Sequence, residues 1–79
     1  MRTIALVHSI CVRNDAISNA IRQQYQWLSQ LGGYRVIFFG HQCEYDDIVW
    51  ENCADLSSLF ASAEFLHADL YIFHFGIYH

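Results

Sequence analysis

Three short apolar segments alternate along the chain with two longer segments that mix apolar and polar positions. The apolar segments occupy residues 3–8, 34–39 and 70–75; the first contains the continuous apolar run 4–7, and the others are largely apolar, with Arg35 in the second and His74 in the third. Consecutive apolar residues are typical of parallel strands that are covered on both faces. The pattern therefore predicts three parallel strands.

The segment between the first two strands predicts an amphipathic helix over residues 16–31. Its apolar residues recur at three- and four-residue spacing, and polar side chains occupy the other face. Asn14 or Asp15 can cap the start of this helix by accepting a hydrogen bond from a free backbone N–H group. Gly32 and Gly33 predict its end, because glycine adopts the left-handed conformation without a steric penalty.

The segment between the second and third strands predicts helix over residues 48–67, in two pieces broken near residues 52–55. Asp55 is placed to cap the second piece. That piece carries an apolar stripe formed by Leu56, Leu59, Phe60, Ala63 and Leu66. The alternation of strands and helices predicts an α/β fold of the βαβαβ type, with right-handed crossovers.

The order of the strands decides where a ligand would bind. The first and third strands are the most apolar, which favours the order 2-1-3, with 3-2-1 as the alternative. In the order 2-1-3, ligands bind beyond the carboxyl ends of the strands, where the chain reverses direction. His8 ends the first strand and His74 nearly ends the third. We expect both histidines to face one crevice, together with the corner formed by residues 14–19.

Composition and charge narrow the class of protein. A chain of 79 residues, 54% of them hydrophobic, allows one small domain with more apolar surface than it comfortably buries. We expect these residues to be the first part of a larger domain. The net charge of −4 leaves no basic patch for nucleic acid. No segment approaches the roughly 20 apolar residues of a membrane span.

The three cysteines, Cys11, Cys43 and Cys53, are irregularly spaced and do not resemble a disulfide framework. Free thiols in a reducing cytoplasm fit this usage better. A zinc site from Cys11, Cys43, His41 and His74 can be drawn, but its spacing matches no compact ligand pair. We expect no metal and no cofactor.

The loop after the first strand limits the nucleotide chemistry of the site. Residues 9–15 contain no glycine, so the dinucleotide and P-loop fingerprints are both absent. Asp15 would oppose a phosphate, whereas Asn14, Ser18 and Asn19 could hydrogen-bond sugar hydroxyls. The alternative is that Asn14 and Asp15 only cap the helix.

The histidines at the strand ends have two interpretations. His74 is either a ligand-contacting residue at the carboxyl end of its strand or a hydrogen-bonded structural histidine, and the same alternatives hold for His8. Gly76 would let a backbone or a ligand approach closely. His41 reads as a loop or surface residue, and nothing marks Cys11 as a nucleophile.

Two segments resemble a known family. Residues 4–8 (Ile-Ala-Leu-Val-His), followed by residues 14–19 (Asn-Asp-Ala-Ile-Ser-Asn), are similar to the opening of family 4, or group 1, glycosyltransferases. Residues 68–76 (Ala-Asp-Leu-Tyr-Ile-Phe-His-Phe-Gly) resemble a later strand of the same enzymes.

The resemblance implies a retaining GT-B enzyme with two Rossmann-like domains, a nucleotide-sugar donor and a sugar or glycan acceptor. This chain would be the first part of the N-terminal domain, which mainly holds the acceptor. By position, Asn14, Asp15 and Ser18 would line the cleft, and His74, the candidate catalytic residue, would lie near the acceptor with Gly76. The donor-binding Glu-x7-Glu motif of the C-terminal domain is absent, so we expect no transfer by this chain alone. The competing hypothesis is a non-enzymatic flavodoxin-like or Rossmann-like binding module.

Overall fold

The computed structural model describes residues 2–53 and 55–74, except for the side chain of Leu56. The strands are β1 (Arg2–Val7), β2 (Ile10–Cys11), β3 (Tyr34–Gly40), β4 (Gln42–Cys43), β5 (Trp50–Asn52) and β6 (Leu70–Phe73). The helices are α1 (Ala16–Gln30), α2 (Leu56–Ala61) and α3 (Ala63–Leu66). None of the helices in this part of the chain has the length and apolar character needed to cross a membrane.

The main sheet is parallel and has the order β5-β3-β1-β6. Among the three predicted strands this is the order 2-1-3, which the structure confirms. β1 lies between β3 and β6, with Leu6 opposite Phe38 on one side and Ile72 on the other. This central position explains why the residues of β1 from Ile4 to Leu6 are fully buried.

The three predicted strands are present, but the main sheet has a fourth, β5, which forms where the first helical piece was expected, and the short strands β2 and β4 of the second sheet were not predicted. Residues 48–50 (Ile-Val-Trp) are β-branched or aromatic and suit a sheet better than a helix. The strand is fixed from both ends, since Phe38 N donates to the Val49 carbonyl at 2.9 Å and Cys53 N donates to the Gly40 carbonyl at 2.8 Å.

Alternation along the strands divides the core between the two faces of the sheet. Leu6 and Phe38 pack on the face covered by α1, against Ile21, Tyr25 and Leu28. Ala5, Ile37 and Phe39 pack on the face covered by α2 and α3, against Leu59 and Phe65. The structure is therefore a layered α/β fold in which the sheet is covered on both faces.

Local capping sets the ends of α1 as predicted. Asp15 is the N-cap, and its carboxylate accepts from the Ser18 backbone N–H at 2.9 Å and from the Ser18 hydroxyl at 2.7 Å. Gly32 and Gly33 follow the helix with φ of 75° and 76°, a conformation that favours glycine.

The second helical piece is divided at Ser62, and the division changes its buried face. Ser62 ends α2 and caps α3, its hydroxyl accepting from Phe65 N at 3.3 Å. Leu59 and Phe65 are buried, whereas Phe60 and Leu66 of the predicted stripe are 57% and 56% exposed. The predicted cap at Asp55 is confirmed by its 2.8 Å hydrogen bond from Ser58 N.

Candidate functional site

A cavity of about 500 Å³ opens at the carboxyl edge of the sheet. It lies where the strand order reverses, because the chain runs from β1 to β3 and β5 on one side and then crosses back to β6 on the other side of β1, and open α/β sheets bind their ligands at such a point. Strand ends, the loops after them and α2 form its wall: Val7, His8, Ser9, Phe39, Gly40, His41, Cys53, Asp55, Leu59, Phe60, Phe73 and His74.

The two histidines predicted to face one crevice do meet at this cavity. His8 Nδ1 lies 2.9 Å from the backbone carbonyl oxygen of His74, and because a carbonyl only accepts, Nδ1 carries the proton. Backbone hydrogen bonds hold both residues, since His8 N donates to the Phe39 carbonyl at 3.2 Å and His74 N donates to the Val7 carbonyl at 2.9 Å. The position of the pair is therefore fixed by the sheet.

The side chain of His74 turns towards α1. Its Nε2 atom lies 2.6 Å from the side-chain oxygen of Gln24, to which it donates. Burial lowers the pKa of His74, and the charge that His8 carries when it is protonated lowers it further. The imidazole of His74 is thus held neutral and hydrogen-bonded at the rim of the cavity.

His8 carries an unpaired polar atom. Its Nε2 atom is shielded from solvent and has no hydrogen-bond partner among the residues that the structure describes. With Nδ1 protonated, a neutral His8 presents a lone pair at Nε2 that can accept a hydrogen bond. Buried polar atoms are almost always paired, so an unpaired one at a cavity is a candidate for contact with a ligand.

Gly40 brings the end of β3 close to His8. A Cβ atom at this position would lie 2.5 Å from the His8 carbonyl oxygen and 2.6 Å from the Phe38 ring. Only glycine allows this approach without a shift of the backbone that carries His8. The sequence indicated that Gly40 closes the strand, but not that it makes room for a neighbouring site residue.

The rest of the wall is mostly apolar and aromatic. Phe39, Phe60 and Phe73 contribute rings, and Leu59 lies beside them. Burial raises the pKa of Cys53, as do the nearby carboxylates Glu51 and Asp55, so its thiol remains protonated. An apolar wall with a few polar groups is the usual composition of a small-molecule site.

The corner at the start of α1 is not part of the cavity wall. Ser18 is fully buried and donates its hydroxyl to Asp15, and Asn19 accepts a 3.1 Å hydrogen bond from the Tyr45 hydroxyl. Asn14 is exposed with a φ of 63°. The two hydrogen bonds from Ser18, more than the charge of His8, lower the pKa of Asp15. Substrate contacts by these four residues stay a prediction.

Gly76, the remaining predicted contact, lies outside the described residues. His41, which the sequence placed on the surface, is exposed and also lines the cavity. It directly follows β3, so the carboxyl-end argument used for His8 and His74 would have found it. Within residues 2–53 and 55–74, no three His, Cys, Asp or Glu side chains are grouped to hold a metal.

Comparison with protein-family models, with curated proteins and with solved structures finds no match to this chain.

Proposed function

We propose that this fold forms the acceptor-side wall of the cleft in a retaining, nucleotide-sugar-dependent glycosyltransferase. The observation that carries the proposal is that residues 4–8 and 68–76 of the resemblance both contribute to the wall of one cavity, although residues 14–19 do not. Residues 4–8 end there at His8, and residues 68–76 contribute Phe73 and His74. An acceptor site is expected at the carboxyl ends of the strands in such a fold.

The wall of the cavity offers the two kinds of contact that a sugar needs. The rings of Phe39, Phe60 and Phe73 suit the apolar C–H face of a pyranose. His41 is exposed and supplies a polar group, whereas the lone pair on His8 Nε2 is shielded in this structure and would accept from a sugar hydroxyl only after a movement of its side chain. The backbone carbonyl of His74 would orient His8 by accepting the hydrogen bond from its Nδ1–H group.

The remaining parts of the proposal follow from the resemblance. The nucleotide-sugar donor would be held by a second domain carrying the Glu-x7-Glu motif, and the reaction would need no metal or cofactor. The three cysteines are free thiols, which supports a reducing compartment such as the cytoplasm.

A non-enzymatic module that binds a small ligand is the second candidate. It is favoured by the hydrogen bond between His74 and Gln24, which occupies the imidazole that a catalytic role would need. Both candidates use the same cavity, and they differ in whether a sugar is bound and transferred.

A titration of the isotope-labelled chain followed by NMR tests the proposal. We expect a subset of neutral mono- and disaccharides to shift the backbone amide signals of His8, Ser9, His41 and His74. Nucleoside diphosphates are the control, and we expect no shift from them, because no phosphate cradle is present in residues 9–15.

Two results would contradict the proposal. One is that no saccharide perturbs the cavity while an apolar ligand does, which would favour the binding module. The other is sugar transfer or donor hydrolysis by the chain alone, because the acceptor wall without a donor domain should not turn over.

A further inference from the structure

Cys11 and Cys43 are direct neighbours in the second sheet. This sheet pairs β2 with β4 in parallel, and Cys11 lies opposite Cys43 in its register. Neighbouring strands lie about 4.8 Å apart, within the separation of about 4.4–6.8 Å that a disulfide spans between Cα atoms. Paired residues in register point to the same face of a sheet, so the two side chains lie side by side, although each thiol donates to a backbone carbonyl, that of Ser18 for Cys11 and that of Tyr45 for Cys43.

The two thiols differ in their access to solvent. Cys11 is fully buried and donates to the Ser18 carbonyl at 3.7 Å, whereas Cys43 is only partly buried. A dissolved oxidant therefore meets Cys43 first. The third cysteine, Cys53, lies on the wall of the cavity, in the connection after β5.

We propose that Cys11 and Cys43 are a modification site, at which a small-molecule disulfide such as oxidised glutathione forms an intramolecular disulfide. The Cys43 thiolate attacks one sulfur of the oxidant, which gives a mixed disulfide and releases one thiol. Burial raises the pKa of Cys11 to about 12, so this thiol gives up its proton only as its sulfur attacks the Cys43 sulfur, and the second thiol is released with that proton. Each cysteine loses one electron, and the two thiol protons leave on the two molecules released.

The disulfide would join the two loops that form one side of the cavity. Ser9 and His41 both line it, and His41 N already donates to the Ser9 carbonyl at 2.7 Å. Each of these residues lies two positions before one of the paired cysteines. A covalent link between Cys11 and Cys43 therefore fixes the spacing of these loops. The inference is independent of the ligand that the cavity binds.

The experiment exposes the folded chain to oxidised glutathione. The number of free thiols should fall from three to one, and peptide mapping should find Cys11 linked to Cys43. The linked form should melt higher by roughly 10 °C or more, because the bond closes a loop of about 30 residues. Addition of dithiothreitol should reverse both changes.

Two variants make the result specific. Cys53→Ser, the control, should close the same bond and retain no free thiol after oxidation. Cys43→Ser should form no intramolecular bond, and Cys43 is preferred to Cys11 for this test because it is less buried. A link that includes Cys53, or mixed disulfides without any link in the folded chain, would overturn the proposal.

Discussion

The Nδ1–H group of His8 donates a 2.9 Å hydrogen bond to the backbone carbonyl of His74, and so joins the ends of β1 and β6 at the cavity. The bond fixes which nitrogen of His8 carries the proton. In the neutral imidazole it leaves Nε2, which is buried and without a partner in the described part of the chain, as an unpaired hydrogen-bond acceptor. The ends of β1 and β6, which are distant in sequence, thus together set the orientation of the His8 imidazole.

Two substitutions of His8 should measure what its hydrogen bond to the His74 carbonyl contributes to stability. In His8→Asn the side-chain amide can still donate to the His74 carbonyl, whereas His8→Ala removes the donor. We expect His8→Ala to lose about 1 kcal/mol of unfolding free energy, the net value of such a bond, and His8→Asn to lose less. Urea denaturation measures both, and equal losses would show that the bond does not hold the two strand ends.

Gly40→Ala should displace the backbone of His8, because the end of β3 lies against it. The new Cβ atom would lie 2.5 Å from the His8 carbonyl oxygen, so we expect a loss of about 1–3 kcal/mol and a shifted NMR signal of the His8 ring. Gly32→Ala is the control, because its strain comes from a φ of 75° with no atom within 4 Å. A His8 signal that is unchanged in Gly40→Ala would contradict the close approach.

The Asp15 cap should make stability depend on pH in acid. Hydrogen bonds from Ser18 lower the pKa of Asp15 in the folded chain below its ordinary value of 3.8. The contribution of the Asp15 cap to the free energy of unfolding is therefore complete above pH 3.8, and it is lost as pH falls through the lower pKa of the folded chain. Asp15→Ala should lower the melting temperature by several degrees at pH 7, and Asp15→Asn, which keeps an acceptor, by less. Asp46→Ala, at an exposed loop position, is the control.

His74 should also make stability depend on pH, over a higher pH range than Asp15 does. Its pKa is lowered in the folded chain by burial and by His8, so below the ordinary value of 6.5 the unfolded chain binds the proton more readily. Stability from this group is complete above about pH 6.5 and is lost as pH falls through the folded pKa. His74→Gln removes the titration, so its unfolding free energy should fall less than that of the unmodified chain between pH 7.5 and 5.5. Equal slopes for the two proteins would contradict the burial of His74.

Strong local patterns explain why much of the fold could be predicted. β1 is apolar from Ile4 to Val7 because it is central, and the ends of α1 carry their own signals in Asp15 and Gly32. β5 could not be predicted in the same way. It has only three residues, and its conformation depends on pairing with β3 instead of on its own periodicity.

The site was predictable in position but not in the direction of its side chains. Placing His8 and His74 at one edge needed only the strand order, whereas the contact of His74 with Gln24 depends on how α1 packs. The corner at residues 14–19 was expected in the same crevice. β2 lies between β1 and this corner and pairs with β4, outside the main sheet, so the start of α1 does not line the cavity.

The most direct test of the central claim, that this cavity binds a sugar acceptor, is the saccharide affinity of a variant whose cavity is obstructed. Ser9 lines the cavity, and Gln23 is exposed on α1. For a saccharide that shifts the cavity signals, we predict that Ser9→Trp weakens binding tenfold or more, about 1.4 kcal/mol, while Gln23→Trp leaves it unchanged. Equal affinity for Ser9→Trp and the unmodified chain would contradict the assignment of the cavity as the acceptor site.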